Sequence, residues 1–157
     1  MRKLLSHISV LLALSLGLVP GIALGAAKRA SASAAAAHAR AMRVVLFAVR
    51  ELGVRYSYGG MSPRTGFDCS GFTRWVFSHV GLTLPHSSYA QFSLGRRVPA
   101  GSLQPGDLVF FDGLGHVGIY VGGGDFIHAP HTGDVVKISS LSEPWYAATY
   151  VGARRIG

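Results

Sequence analysis

Apolar and polar positions divide the chain into three textures. The first is the run "LLSHISVLLALSLGLVPGIALGAA" behind Arg2 and Lys3, apolar almost throughout and closed by the small residues Ala23, Gly25, Ala26 and Ala27. Charge, apolar stretch and small residues in that order predict a secretory signal peptide over residues 1–27. The run is also long enough to span a bilayer as a retained anchor, but Pro20 and Gly21 near its end favour cleavage. The alanine-rich stretch 28–38 reads as a flexible lead-in.

The second texture has helical spacing. Met42, Val45, Leu46, Val49 and Leu52 recur at three and four residues, with Arg43 and Arg50 off that stripe and Gly53 as a stop. "YSYGGMSPRTGF" (Tyr56–Phe67) carries loop residues. A second helix is predicted from Cys69, with Phe72, Trp75, Val76 and Val80 on its apolar face and Gly81 at its end. "PHSSYAQFSLG" reads as a short third helix capped by Ser87 or Ser88.

After Pro105 the spacing shortens. "DLVFF", "HVGIYV", "DFIHA", "VVKI" and "ATYVGARRI" are β-branched or aromatic runs separated by Gly and Pro signals, hence strands of an antiparallel sheet. Helices first and strands after, without alternation, predict one α+β domain over residues 39–157.

Composition narrows the function. At 157 residues and 49% apolar the chain suits a single domain with a real core. The net charge is +8, and the +6 that remains without Arg2 and Lys3 of the signal segment suits an anionic partner such as a cell wall or membrane surface. The arginines are scattered and not interleaved with aromatics, which argues against nucleic acid. No cysteine follows the apolar run closely, so a lipid anchor is not expected. Cys69 is the single cysteine, so no disulfide framework exists. A lone thiol is either reactive or an apolar filler.

"GFDCSGF" (Gly66–Phe72) puts that thiol where a loop meets a helix start. Unpaired amides at a helix N-terminus carry partial positive charge and favour a thiolate, so the thiol pKa is expected to fall. The same amides can receive an oxyanion, and Gly71 allows close backbone approach. A nucleophilic cysteine needs a base. Of seven histidines, only His116 and His128 belong to predicted strands. They are twelve positions apart, flanking Gly122, Gly123 and Gly124. An odd turn centred on Gly122 sets them opposite each other on one face, with Cβ atoms about 5 Å apart. A two-residue turn would set them on opposite faces. The expected constellation is Cys69 as nucleophile, His116 as base and His128 as orienting group. A structural zinc site needs four closely spaced ligands, and these residues supply three. No metal is expected.

The motifs resemble the NlpC-type family of bacterial cell-wall cysteine peptidases, which are papain-like. "LGVRYSYGG", "GFDCSGF", "LPHSSYAQ", "LQPGDLVFF", "HVGIYVGGGDFIHAP" and "ARRI" follow in the family's order, from about Ala39 to Ile156. The resemblance implies a papain-like core, N-terminal helices packed on a C-terminal antiparallel sheet. It implies Cys69 as nucleophile, His116 as base, His128 as third polar residue and Tyr56 as an aid to the oxyanion site. Asp68 and Ser70 match residues that bind a free substrate ammonium, although Asp68 also suits a helix cap. Many members carry arginine where this chain has His86. The implied reaction is amide hydrolysis through a thioester in peptidoglycan stem peptides or cross-links, at D-glutamate or diaminopimelate, by an exported monomer without cofactor or lasting membrane insertion. An N-acetylmuramoyl amidase of related fold and a non-catalytic wall-binding module are the alternatives.

Overall fold

The computed structural model describes residues 20–157, so most of the expected signal segment lies outside the described residues. The chain divides into a unit ending at Ala34 and a unit Ala35–Gly157. In the first, the described residues are helical and, from Leu24 onward, exposed. Helix α1 (Pro20–Arg50) takes in residues 28–38 as helix. Alanine is the strongest helix former, and no Gly or Pro interrupts residues 26–50. By length and composition Leu24–Arg50 is long and apolar enough to cross a membrane, with a mean hydropathy of 1.2.

Within Ala35–Gly157 the chain continues with β1 (Met61–Ser62), β2 (Gly66–Phe67), α2 (Cys69–Ser78), α3 (Ser88–Phe92), β3 (Arg96–Val98), β4 (Leu108–Phe111), β5 (His116–Gly122), β6 (Asp125–His128), β7 (Lys137–Ser140), α4 (Pro144–Thr149) and β8 (Tyr150–Arg155). β1 and β2 form a small hairpin, and six strands form an antiparallel sheet in the order β3-β8-β4-β5-β6-β7. The α+β expectation matches this architecture. β1, β2, β3 and α4 were not legible as elements: the three strands are two or three residues long, and the end of α4 merges with the strand run that begins at Ala148.

The face of α1 that packs is not the expected one. Val44 and Ala48 are buried and Phe47 joins the core, while Met42, Leu46, Val49 and Leu52 remain exposed. The helix carries two apolar stripes, and the spacing alone does not rank them. The buried stripe holds the small Ala48, which lets the helix approach closely, and Glu51, whose Oε1 accepts from Trp75 Nε1 at 3.1 Å.

Both faces of the sheet are covered, and β4 shows why "LVFF" is a continuous apolar run rather than an alternating one. Leu108 and Phe110 pack with Val44, Phe67, Phe72, Phe77, Val117 and Ile127 on the helix side. Val109 and Phe111 pack with Val98, Phe126 and Ala153 on the other side, where Tyr146 of α4 closes over them. α2 packs on β5. That contact brings the start of one element to the start of the other.

Candidate active site

The site begins with a helix cap. Asp68 is in an extended conformation before α2, and its Oδ1 accepts from the Gly71 amide at 2.6 Å. Cys69 is therefore the first residue of α2. Its Sγ lies 4.0 Å from the Gly115 carbonyl, next to His116 in the chain. Gly71 has no Cβ where the Gly60 carbonyl comes in, so the loop before the hairpin packs against the helix start.

The charge state of the thiol differs from expectation. Burial first, and then the Asp68 carboxylate, push the Cys69 thiol up to about 11. The amides of Val117, Ser70 and Cys69 itself pull the other way without prevailing. The helix start acts as expected in sign. It loses because the same fold removes the sulfur from water and places a carboxylate beside it.

His116 and His128 share one face of the sheet, and His116 Nε2 is 2.8 Å from His128 Nδ1. They are not directly opposed. β5 and β6 pair Ile119 with Ile127, Tyr120 with Phe126 and Gly122 with Asp125, so the turn is the two residues Gly123–Gly124 and not an odd one centred on Gly122; a shift between Tyr120 and Gly122 offsets it and keeps both histidines on one face. One step along that register, Gly118 falls beside His128. A Cβ at Gly118 would lie 3.2 Å from the His128 Cβ. The slot left by the glycine is the one across which His116 reaches its partner diagonally. Burial holds His116 down to about 4, and burial together with His116 holds His128 down to about 3. Both imidazoles are thus neutral near pH 7. His128 Nε2 in turn lies 3.2 Å from Ser139 Oγ and 3.3 Å from the Tyr146 hydroxyl.

The backbone leading into His116 is strained. Asp112 (φ 53) and Leu114 (φ 79) occupy the left-handed region without being glycine. Ser88 of α3 holds the turn by donating to the Leu114 carbonyl at 2.6 Å. A cleft of about 470 Å³ opens beside His116, lined by Asp112, Glu143, Trp145, Tyr146 and His131 among others.

Tyr56 lies near the thiol. Its amide donates to the Asp134 carbonyl at 2.8 Å, and its hydroxyl is raised by burial and then by the charges of Cys69 and Asp68. Ser70 donates its hydroxyl to Asp68 Oδ1 at 3.2 Å. His86 Nε2 sits 2.8 and 2.9 Å from the two Asp68 oxygens. The structure thus brings Cys69, His116, His128, Tyr56, Asp68 and Ser70 into one region. Sequence reasoning missed Gly118, Ser139 and Tyr146. Only Gly118, a glycine inside an apolar strand run, carried a signal of close approach. Among the described residues no group of three or more His, Cys, Asp or Glu could hold a metal ion.

An α+β fold with a cysteine at the head of a helix and a histidine pair on the sheet it packs against matches a papain-like architecture. The NlpC/P60 family pattern matches residues 53–155, and the chain belongs to that family. It is 48% identical over 106 residues to a probable endopeptidase NlpC homolog of Haemophilus influenzae, covering 67% of this chain and 57% of the relative. It is 42% identical over 116 residues to the murein DD-endopeptidase MepH of Escherichia coli K12, covering 69% and 43%. The chain thus spans about half the length of these two relatives. Among solved structures, the peptidoglycan hydrolase RipB of Mycobacterium tuberculosis superposes with a TM-score of 0.69 at 32% identity, covering 78% of this chain and 67% of that one.

Proposed function

We propose that this chain is an exported, cysteine-type peptidoglycan hydrolase that cuts an amide bond at D-glutamate or diaminopimelate in the stem peptides or cross-links, acting as a monomer. The observation that carries the reading is Cys69 at the head of α2, against the strand whose first residue, His116, is hydrogen-bonded to His128. The names of its relatives, a murein DD-endopeptidase and a peptidoglycan hydrolase, support the substrate class. The apolar N-terminal run supports export, and the net charge of +6 left without Arg2 and Lys3 suits an anionic wall.

The chemistry follows from the proton positions. His116 Nε2 is engaged with His128 Nδ1, which leaves Nδ1 of His116 to take the thiol proton. That role requires Nε2–H of His116 to donate to His128. His128 then carries its own proton on Nε2, facing the Ser139 and Tyr146 oxygens, both able to accept. With a high thiol and a low imidazole, no standing ion pair exists at rest. The proton leaves sulfur as the S–C bond to the scissile carbonyl forms. Amides at the start of α2, with the Tyr56 hydroxyl, receive the oxyanion. His116 gives the proton to the departing amine, and the thioester remains. Water, deprotonated by His116, then releases the acid and restores the thiol. Asp68 and Ser70 face the amine end of the substrate in this scheme.

The test is wild type against Cys69→Ala on purified peptidoglycan, with products weighed by mass spectrometry. The wild type should release fragments that end at D-glutamate or diaminopimelate, and the variant none. Intact stem peptides freed from muramic acid would reassign the chain as an amidase. Binding without turnover would make it a wall-binding module. Undiminished release by Cys69→Ala would remove the cysteine from the mechanism.

A further inference from the structure

Asp68 is the most heavily engaged carboxylate of the region. It accepts from the amides of Gly59 (3.0 Å) and Gly71 (2.6 Å), from Ser70 Oγ (3.2 Å), and from His86 Nε2 through both oxygens (2.8 and 2.9 Å). The donors come from the loop before β1, from α2 and from the segment before α3, so Asp68 ties three parts of the chain to the residue preceding Cys69. It is also a negative charge beside a sulfur that must become negative to react, and it opposes that ionisation.

The other titratable groups facing this corner are Tyr56 and Tyr58 on the loop and His116 at the start of β5. Tyrosines bring no positive charge, and His116 is held neutral near pH 7 by burial. His86 is the group in direct contact with the carboxylate that can bear a cation. Its side chain and that of Asp68 are 24% and 14% exposed, so water screens the pair only in part.

We propose that His86 is a positioning residue: it clamps Asp68 through both carboxylate oxygens and, by the charge it carries, sets how readily the Cys69 thiol ionises. A charged His86 offsets Asp68 and favours the thiolate. A neutral His86 leaves the carboxylate's repulsion in force. The consequence for turnover rests on Cys69 being the nucleophile, whereas the consequence for the thiol does not.

The test replaces His86 by a permanent cation, His86→Arg with His86→Lys as a second form, and by a neutral donor, His86→Gln. Iodoacetamide alkylation of Cys69 is followed across pH on the full chain. Near pH 8 the Arg form should react about tenfold faster than the Gln form. In an Asp68→Asn background, which keeps a helix cap, the difference should shrink, because the cation loses the carboxylate that anchors it. Equal rates in all forms overturn the proposal, as does a difference undiminished by Asp68→Asn. Hydrolysis measured in parallel separates the two readings. If Cys69→Ala still cuts peptidoglycan while the alkylation series holds, the functional reading fails and the inference stands.

Discussion

A methyl group added at Gly118 tests how the histidine pair is built. The new Cβ would lie 2.6 Å from Phe126 Cδ2, 3.0 Å from the Ile127 carbonyl oxygen and 3.2 Å from the His128 Cβ. Phe126 and Ile127 are completely buried, and neither can swing into solvent. β6 must therefore move away from β5 by several tenths of an ångström. Overpacking of this kind costs about 1–3 kcal/mol, which lowers the melting midpoint by about 4 °C per kcal/mol in a domain of this size. A second effect falls on chemistry. Displacing the His128 backbone lengthens the 2.8 Å bond that orients His116. With His116 as the proposed base, misplacing it costs on the order of 10- to 100-fold in turnover. The assays are thermal melting by circular dichroism and kcat on purified peptidoglycan, with Gly101→Ala as reference, since a Cβ there meets nothing within 4 Å. Gly118→Ala should melt lower and turn over far more slowly than Gly101→Ala. If the two variants behave alike, the cross-strand slot is not what places the pair.

Stability should fall in acid. His116 sits at about 4 in the folded chain against 6.5 for a free imidazole, so between those values the unfolded chain binds more protons. Stability is therefore full above about pH 6.5 and is lost as pH falls, by about 3 kcal/mol from His116 at pH 4. Denaturant titrations at pH 7 and pH 4 check this, and His116→Gln should lessen the dependence, leaving the share of His128, held down mainly by burial. Arg155→Met should cost about 3–5 kcal/mol. It strands Asp107, whose side chain is 1% exposed and which accepts from Arg155 Nε at 2.6 Å and Nη2 at 2.7 Å. A urea midpoint unchanged from wild type would refute that estimate.

Much of the site was legible because its cues are local. A cap residue before a thiol, a glycine after it, and two histidines an even number of positions apart are readable without coordinates. The expected odd turn centred on Gly122 is instead the two-residue turn Gly123–Gly124, which alone would split the pair between faces, and the register shift between Tyr120 and Gly122 restores the shared face. What was not legible depends on residues far apart in the chain. Ser139 and Tyr146 reach His128 from β7 and α4, and neither stands in a motif that marks it. The two apolar stripes of α1 satisfy the same period. The choice between them falls to partners such as Trp75 on α2.

By itself the sequence determined the run of helices before the sheet, the helix start at Cys69 and the capping role open to Asp68. These follow from backbone periodicity and from interactions within a few residues. Tertiary structure alone decided the charges. Burial and Asp68 overcame the helix amides at the thiol, and burial holds both histidines in the neutral form. Local geometry gives the sign of each electrostatic contribution. Which sign prevails depends on how much water the rest of the chain excludes and which distant charge it brings near.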